Sequence, residues 1–171
     1  DLSTFVNFPY NLSGFPHTPP SWEKGDGLRY AIFSIHHWHD FSHIAPPILR
    51  FVASLRASGS RALLVIFTRL ETFELLQMEL ARFENVLVIG YPNLPEVYQR
   101  HLLWSSSFRF TFYRIFLEYH FDLFEAVMTS DLHDVVFQSD PFAWALPAMK
   151  LAKKSIVVAE EVAMMGQPRQ A

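Results

Sequence analysis

Residues 124–142 read FEAVMTSDLHDVVFQSDPF. The apolar run Ala126 to Met128 climbs through Thr129 and Ser130 and then breaks into Asp131, His133 and Asp134. A second apolar patch (Val135, Val136, Phe137) and the pair Asp140-Pro141 follow. A buried parallel strand that delivers acids to its C-terminal tip has this pattern, and open α/β sheets place their ligands at that edge. Carboxylates there commonly hold a divalent cation or a ribose.

Outward from this stretch the chain alternates between strand and helix patterns. Tyr30 to Ile35 reads as a strand. Pro46 or Pro47 can open a helix that runs to about Ala57 and stops at Ser58-Gly59-Ser60. Ala62 to Phe67 is a second strand. Glu71 to Phe83 is a helix, with Phe73, Leu76, Leu80 and Phe83 at helical spacing, and Val86 to Ile89 is a third strand. After a proline-bearing connector (92–101), a helix from about Ser105 to His120 is expected to bury Phe108, Phe112, Ile115, Phe116 and Tyr119. Strand four is Ala126 to Ser130, and Ser155 to Ala159 is a fifth apolar run that ends in Glu160 and Glu161. Such alternation predicts an α/β fold: a mostly parallel sheet with helices on both faces. The predicted organisation is an irregular arm rich in aromatics and proline (1–28), one domain (29–161) and a tail (162–171).

Half of the 171 residues are hydrophobic, enough for one domain with a real core. Aromatics reach 16%, with 17 Phe, while charged residues make up only 18%, so a large buried area or a covered face is expected. A net charge of -3, from 14 basic and 17 acidic residues, is too balanced for a polyanion-binding surface, and nucleic acid is not an expected partner. The absence of cysteine excludes disulfides and thiolate metal sites. No apolar run is long enough to span a membrane, and no signal-peptide pattern opens the chain. A chain that opens at Asp1 and stops soon after a strand reads as a fragment or processed form.

The chemistry concentrates at two places. In strand geometry Asp131 and His133 share a face; if the chain turns at Leu132, Asp131 and Asp134 meet instead. Either pair could bind Mg²⁺ or Mn²⁺. The plainer alternative is that Asp131 and Asp134 cap the turn after strand four. The second place is His36-His37-Trp38-His39-Asp40, with His43 behind it. His37 and His39 share a strand face there, and with Asp40 or His43 they could hold zinc or iron. The spacing matches no established metal motif, and polar rings lining the mouth of the first strand explain it as well. Glu160 and Glu161 would open on the same sheet edge as Asp131, or form a solvated turn. Asp140 before Pro141 reads as a turn residue. Neither G-x-G-x-x-G, a Walker loop nor G-x-S-x-G occurs, which disfavours dinucleotide oxidoreductases, P-loop kinases and serine hydrolases. Asn11-Leu12-Ser13 is a glycosylation sequon of the kind chance supplies.

The segment from Arg109 through Phe142, with RFTFYRIFLEYHF, then FEAVMTSD, then LHDVVFQSDPF, resembles nucleotide-sugar glycosyltransferases of the GT-A fold. The earlier stretch RFVASLRASGSRALLVIF looks like that family's opening βαβ unit. The resemblance covers about Tyr30 to Glu161, and its specificity lies in SDLHDVVFQSDPF. It implies a Rossmann-like nucleotide-sugar-binding half and a hexosyltransferase-like activity, with a UDP- or GDP-linked donor and a carbohydrate, glycoprotein or glycolipid acceptor. It further implies a Golgi or secretory lumen if the source is eukaryotic. By the resemblance, Asp131 stands at the first acid of a DxD motif and Arg109 faces the diphosphate, with Arg114 one turn further on. His37 and Trp38 lie where the nucleotide base is held. Asp131, His133 and Asp134 would take Mn²⁺ or Mg²⁺, although His133 replaces the usual second acid with a softer ligand. The competing expectations are a metal-dependent hydrolase or oxygenase centred on the histidine cluster, and a non-catalytic binding module with a degenerate DxD site.

Overall fold

The computed structural model describes residues 29–36, 45–91 and 109–153. The expectations for the 1–28 arm, for His37 to His43, for the 92–101 connector, for Phe108, for the Ser155 to Ala159 run with Glu160 and Glu161, and for the 162–171 tail lie outside these residues.

Among the described residues four strands form one all-parallel sheet: β1 (Tyr30–His36), β2 (Leu63–Arg69), β3 (Val86–Tyr91) and β4 (Ala126–Thr129), in the order β3-β2-β1-β4. The described helices are α1 (Ala45–Ala57), α2 (Leu70–Leu80), α3 (Arg109–His120) and α4 (Pro141–Ala152), and a 3-10 turn (Phe121–Leu123) follows α3. This is an α/β fold consistent with a Rossmann-like arrangement. Every residue of β2 is buried, as a central parallel strand covered on both faces requires.

Alternate strand residues feed two cores. On one face Ile32, Leu64 and Ile66 pack against Ile48, Phe51, Val52 and Leu55 of α1, Leu76 and Leu80 of α2, and Phe142 of α4. On the other, Phe33, Val65 and Phe67 meet Phe112, Tyr113, Ile115 and Phe116 of α3. Helices thus cover both faces. Gly59, at φ +86, ends α1 where the Ser58-Gly59-Ser60 stop was expected.

At the rim where β2 and β3 begin, Arg56 acts as a clasp. Its guanidinium donates to the carbonyls of Ser60 and Ala62 (3.0 Å each), Asn85 (2.9 Å) and Glu84 (3.1 Å). These carbonyls precede β2 and β3, so one side chain ties the end of α1 to the start of two strands.

Three local expectations are corrected. Tyr119 is exposed, not part of the buried face of α3; Tyr113 and His120 are buried instead, because the face that meets the sheet lies through Phe112, Tyr113 and Phe116. Asp140 is more than a turn residue: its carboxylate accepts from the Phe142 N–H at 3.1 Å and caps α4, with Pro141 at the first helical position. Strand four ends at Thr129, one residue short of Ser130, while β1, β2 and β3 run slightly further than the apolar pattern suggested.

Candidate functional site

β2 and β3 lie on one side of β1 and β4 on the other, so the strand order reverses at β1. In open α/β sheets the crevice outside the carboxyl ends at such a reversal is where ligands bind. Phe33 pairs with Thr129, the last residue of β4, so Ser34, Ile35 and His36 extend beyond the β1–β4 ladder. The chain leaving β4 stays tied to this extension. The Ser130 N–H donates to the Phe33 carbonyl (3.1 Å), and the buried Ser34 hydroxyl donates to the Ser130 carbonyl (2.7 Å).

Leu132 then inserts into the α1-side core, 1% exposed, and the chain bends over residues 132–134. This peg separates its neighbours. Asp131 turns outward to α3, where its carboxylate forms an ion pair with the Arg109 guanidinium. His133 turns inward, with its ring 5.6 Å from that of His36 at 62°, and its buried Nε2 has no hydrogen-bond partner among the described residues. Burial lowers the pKa of His133, and the charges of Asp134 and then Asp131 oppose that shift without reversing it, so the imidazole is neutral at pH 7. Asp134 is exposed.

Sequence reasoning therefore named residues that do lie at the switch point. Neither pairing it considered, Asp131 with His133 or Asp131 with Asp134, describes their directions. A three-ligand site would need Asp131, His133 and Asp134 to converge. One is committed to Arg109 and one to the interior, and among the described residues no three His, Asp or Glu side chains gather as a metal site. Asp131, His133 and Asp134 therefore do not form a three-ligand cradle for Mn²⁺ or Mg²⁺, and no chemical step below runs through one. His37 and Trp38 lie outside the described residues.

Arg109 and Arg114 differ sharply. Arg109 reaches the switch point with a side chain 22% exposed, while Arg114 pairs at 3.3 Å with Glu118 one turn on, on a solvated helix face. One turn after Arg109 stands Tyr113, which was not singled out from the sequence, although its i+4 spacing from an arginine and its place in an aromatic helix were a readable signal. It is 3% exposed, and its hydroxyl is buried without a hydrogen-bond partner among the described residues. Burial pushes its pKa well above the usual phenol value. Arg109 pulls that value down and Asp131 pushes it up, so the hydroxyl is a neutral donor. Tyr113 also lines a groove of about 630 Å³ between α3 and β4, together with Phe33, Phe110, Leu117, Val127 and Thr129, and the Arg114–Glu118 pair stands at its charged wall.

Comparison with known families, characterised proteins and solved structures found no match. Among the described residues no helix is long and apolar enough to cross a membrane.

Proposed function

We propose that the chain is the nucleotide-sugar-binding part of a glycosyltransferase, which moves a sugar from a nucleoside-diphosphate donor to a carbohydrate or glycoconjugate acceptor. The observation that carries this reading is the Asp131–Arg109 pair outside the carboxyl ends of β1 and β4, at the point where the strand order reverses. A nucleotide spread across such a crevice meets a carboxylate suited to a ribose hydroxyl and a guanidinium suited to phosphate oxygens. The SDLHDVVFQSDPF resemblance supports the same assignment.

The chemistry asks for charge stabilisation more than for proton transfer. As the bond from sugar carbon to phosphate oxygen breaks, negative charge grows on the diphosphate, and Arg109 neutralises it. The neutral His133 behind Asp131 adds no positive charge of its own at pH 7.

A thermal-shift titration with UDP, GDP and their sugars, each with Mn²⁺ and again with EDTA, tests the reading and reports metal dependence directly. Ligand at about a hundred times its Kd adds about 2.7 kcal/mol, which raises Tm by about 5–10 °C in a chain of this size. Asp131→Ala should weaken that ligand at least about tenfold while moving Tm of the empty protein by no more than about 4 °C, since exposed ion pairs contribute about 0–1 kcal/mol to folding. Absence of any nucleotide-dependent shift, or an Asp131→Ala variant that binds like the parent, overturns the proposal.

A further inference from the structure

Like His133 Nε2, the Tyr113 hydroxyl is buried with no hydrogen-bond partner among the described residues, and unlike it the hydroxyl lies beside a groove. A phenol oxygen buried without a partner destabilises the fold relative to the same ring without the hydroxyl, so its presence wants a reason outside packing. The ring itself is well held, at 5.5 Å from Phe67, 5.6 Å from Phe33 and 5.8 Å from Phe110. A Phe would make these contacts as well. What the hydroxyl adds is a donor one helical turn from Arg109, in the electrostatic reach of both Arg109 and Asp131.

We propose that Tyr113 is a diphosphate-binding residue: its hydroxyl donates to a phosphate oxygen that Arg109 holds at the same time. The inference rests on the nucleotide-sugar reading and names a contact within it. Arg109 and Tyr113, at i and i+4, project from the same side of α3, so an anion bridging them is held by one rigid element. The Arg109–Asp131 pair is partly open to solvent, with side chains 22% and 58% exposed, and can exchange. When a phosphate takes the place of Asp131 on the guanidinium, the arginine stays paired and the arriving oxygen meets the waiting phenol donor. The released Asp131 is then available to a ribose hydroxyl. The ligand class that satisfies both groups is an oxyanion carried on a larger body that fills the adjoining groove, as a nucleoside diphosphate does.

Tyr113→Phe in the full chain tests this, with UDP and GDP titrated calorimetrically beside uridine and guanosine. Removing an unpartnered buried hydroxyl leaves Tm of the empty variant equal to or above that of the parent. The diphosphate that binds the parent should bind the variant about tenfold more weakly, whereas its nucleoside binds both alike. If the parent binds a diphosphate and Tyr113→Phe binds it equally well, the hydroxyl is not a ligand contact, and the inference falls while the glycosyltransferase reading stands. An equal loss for nucleoside and diphosphate also overturns it, because the effect then comes from groove shape. A parent that binds no diphosphate removes both proposals together.

Discussion

Leu132→Ala is the substitution that couples fold to site most directly. The side chain is 1% exposed and sits in the core that Ile32, Phe51 and Val52 build, directly between the outward Asp131 and the inward His133. Truncating a buried leucine to alanine destabilises by about 2–5 kcal/mol, the spread depending on how far the surroundings collapse into the space. Leu132 lies under a bend and not within a strand, so part of the gap can close, which places the expected loss near the lower end, at about 2–3 kcal/mol. For a chain of this length that is a Tm decrease of about 5–10 °C. The bend should also lose its register, so nucleotide binding measured well below the new Tm should weaken even though no polar group was removed. Leu132→Met conserves volume and should cost under about 1.5 kcal/mol and keep binding. Thermal unfolding followed by circular dichroism reads the first effect, and titration of the folded variants at 15 °C, a temperature of about that value being below either expected Tm, reads the second. A Leu132→Ala Tm within about 2 °C of the parent, or full affinity in a destabilised variant, would refute the idea that this side chain pegs the site.

Three further outcomes follow from the same geometry. Arg56→Met removes four hydrogen bonds to carbonyls and should lower stability by about 2–4 kcal/mol without changing affinity, with Arg56→Lys recovering less than half; an unchanged denaturant midpoint would mean that water serves those carbonyls equally well. Burial lowers the His133 pKa from its ordinary 6.5, so above that pH its contribution is fully present. As pH falls below 6.5 the unfolded chain takes up the proton first and the fold loses stability; His133→Asn should therefore show a shallower fall in Tm between about pH 7 and 5, and a parallel slope would count against the buried neutral imidazole. Arg114→Gln, which breaks a solvated i,i+4 pair at the wall of the groove, should change stability by less than about 0.5 kcal/mol and weaken nucleotide binding less than Arg109→Gln does; a larger affinity loss than Arg109→Gln gives would shift the phosphate contact from Arg109 to Arg114.

β2 was legible because burial on both faces demands a continuous apolar run such as LLVIF, and β4 keeps the short apolar run AVM although it is only half-buried. Helix α4 was not legible, although Asp140-Pro141 is a cap followed by a proline at the first helical position. Pro147 lies inside the helix, and the residue types around it, Ala143 to Met149, give no polar stripe to set a period. On α3 the apolar residues are so dense that several faces fit the pattern. Tyr119 and Tyr113 look alike in sequence, and only the sheet decides which is buried. The acids of the switch point were found from the run that precedes them. Their directions were not, because these depend on one leucine taking the core position while the backbone bends around it.

The Arg56 clasp closes the rim where β2 and β3 begin, whereas Asp131, Arg109 and Tyr113 gather near the rim where β1 and β4 end. In a parallel sheet these rims are a strand length apart, about 20 Å, too far for side chains at one to sense small changes at the other. Heritable variation can therefore act on the two rims separately. A library of random substitutions, sorted first for soluble yield and then for ligand capture, should divide its failures by rim. Gains in robustness made around Arg56 can then be combined with altered ligand preference around Arg109 with little mutual interference.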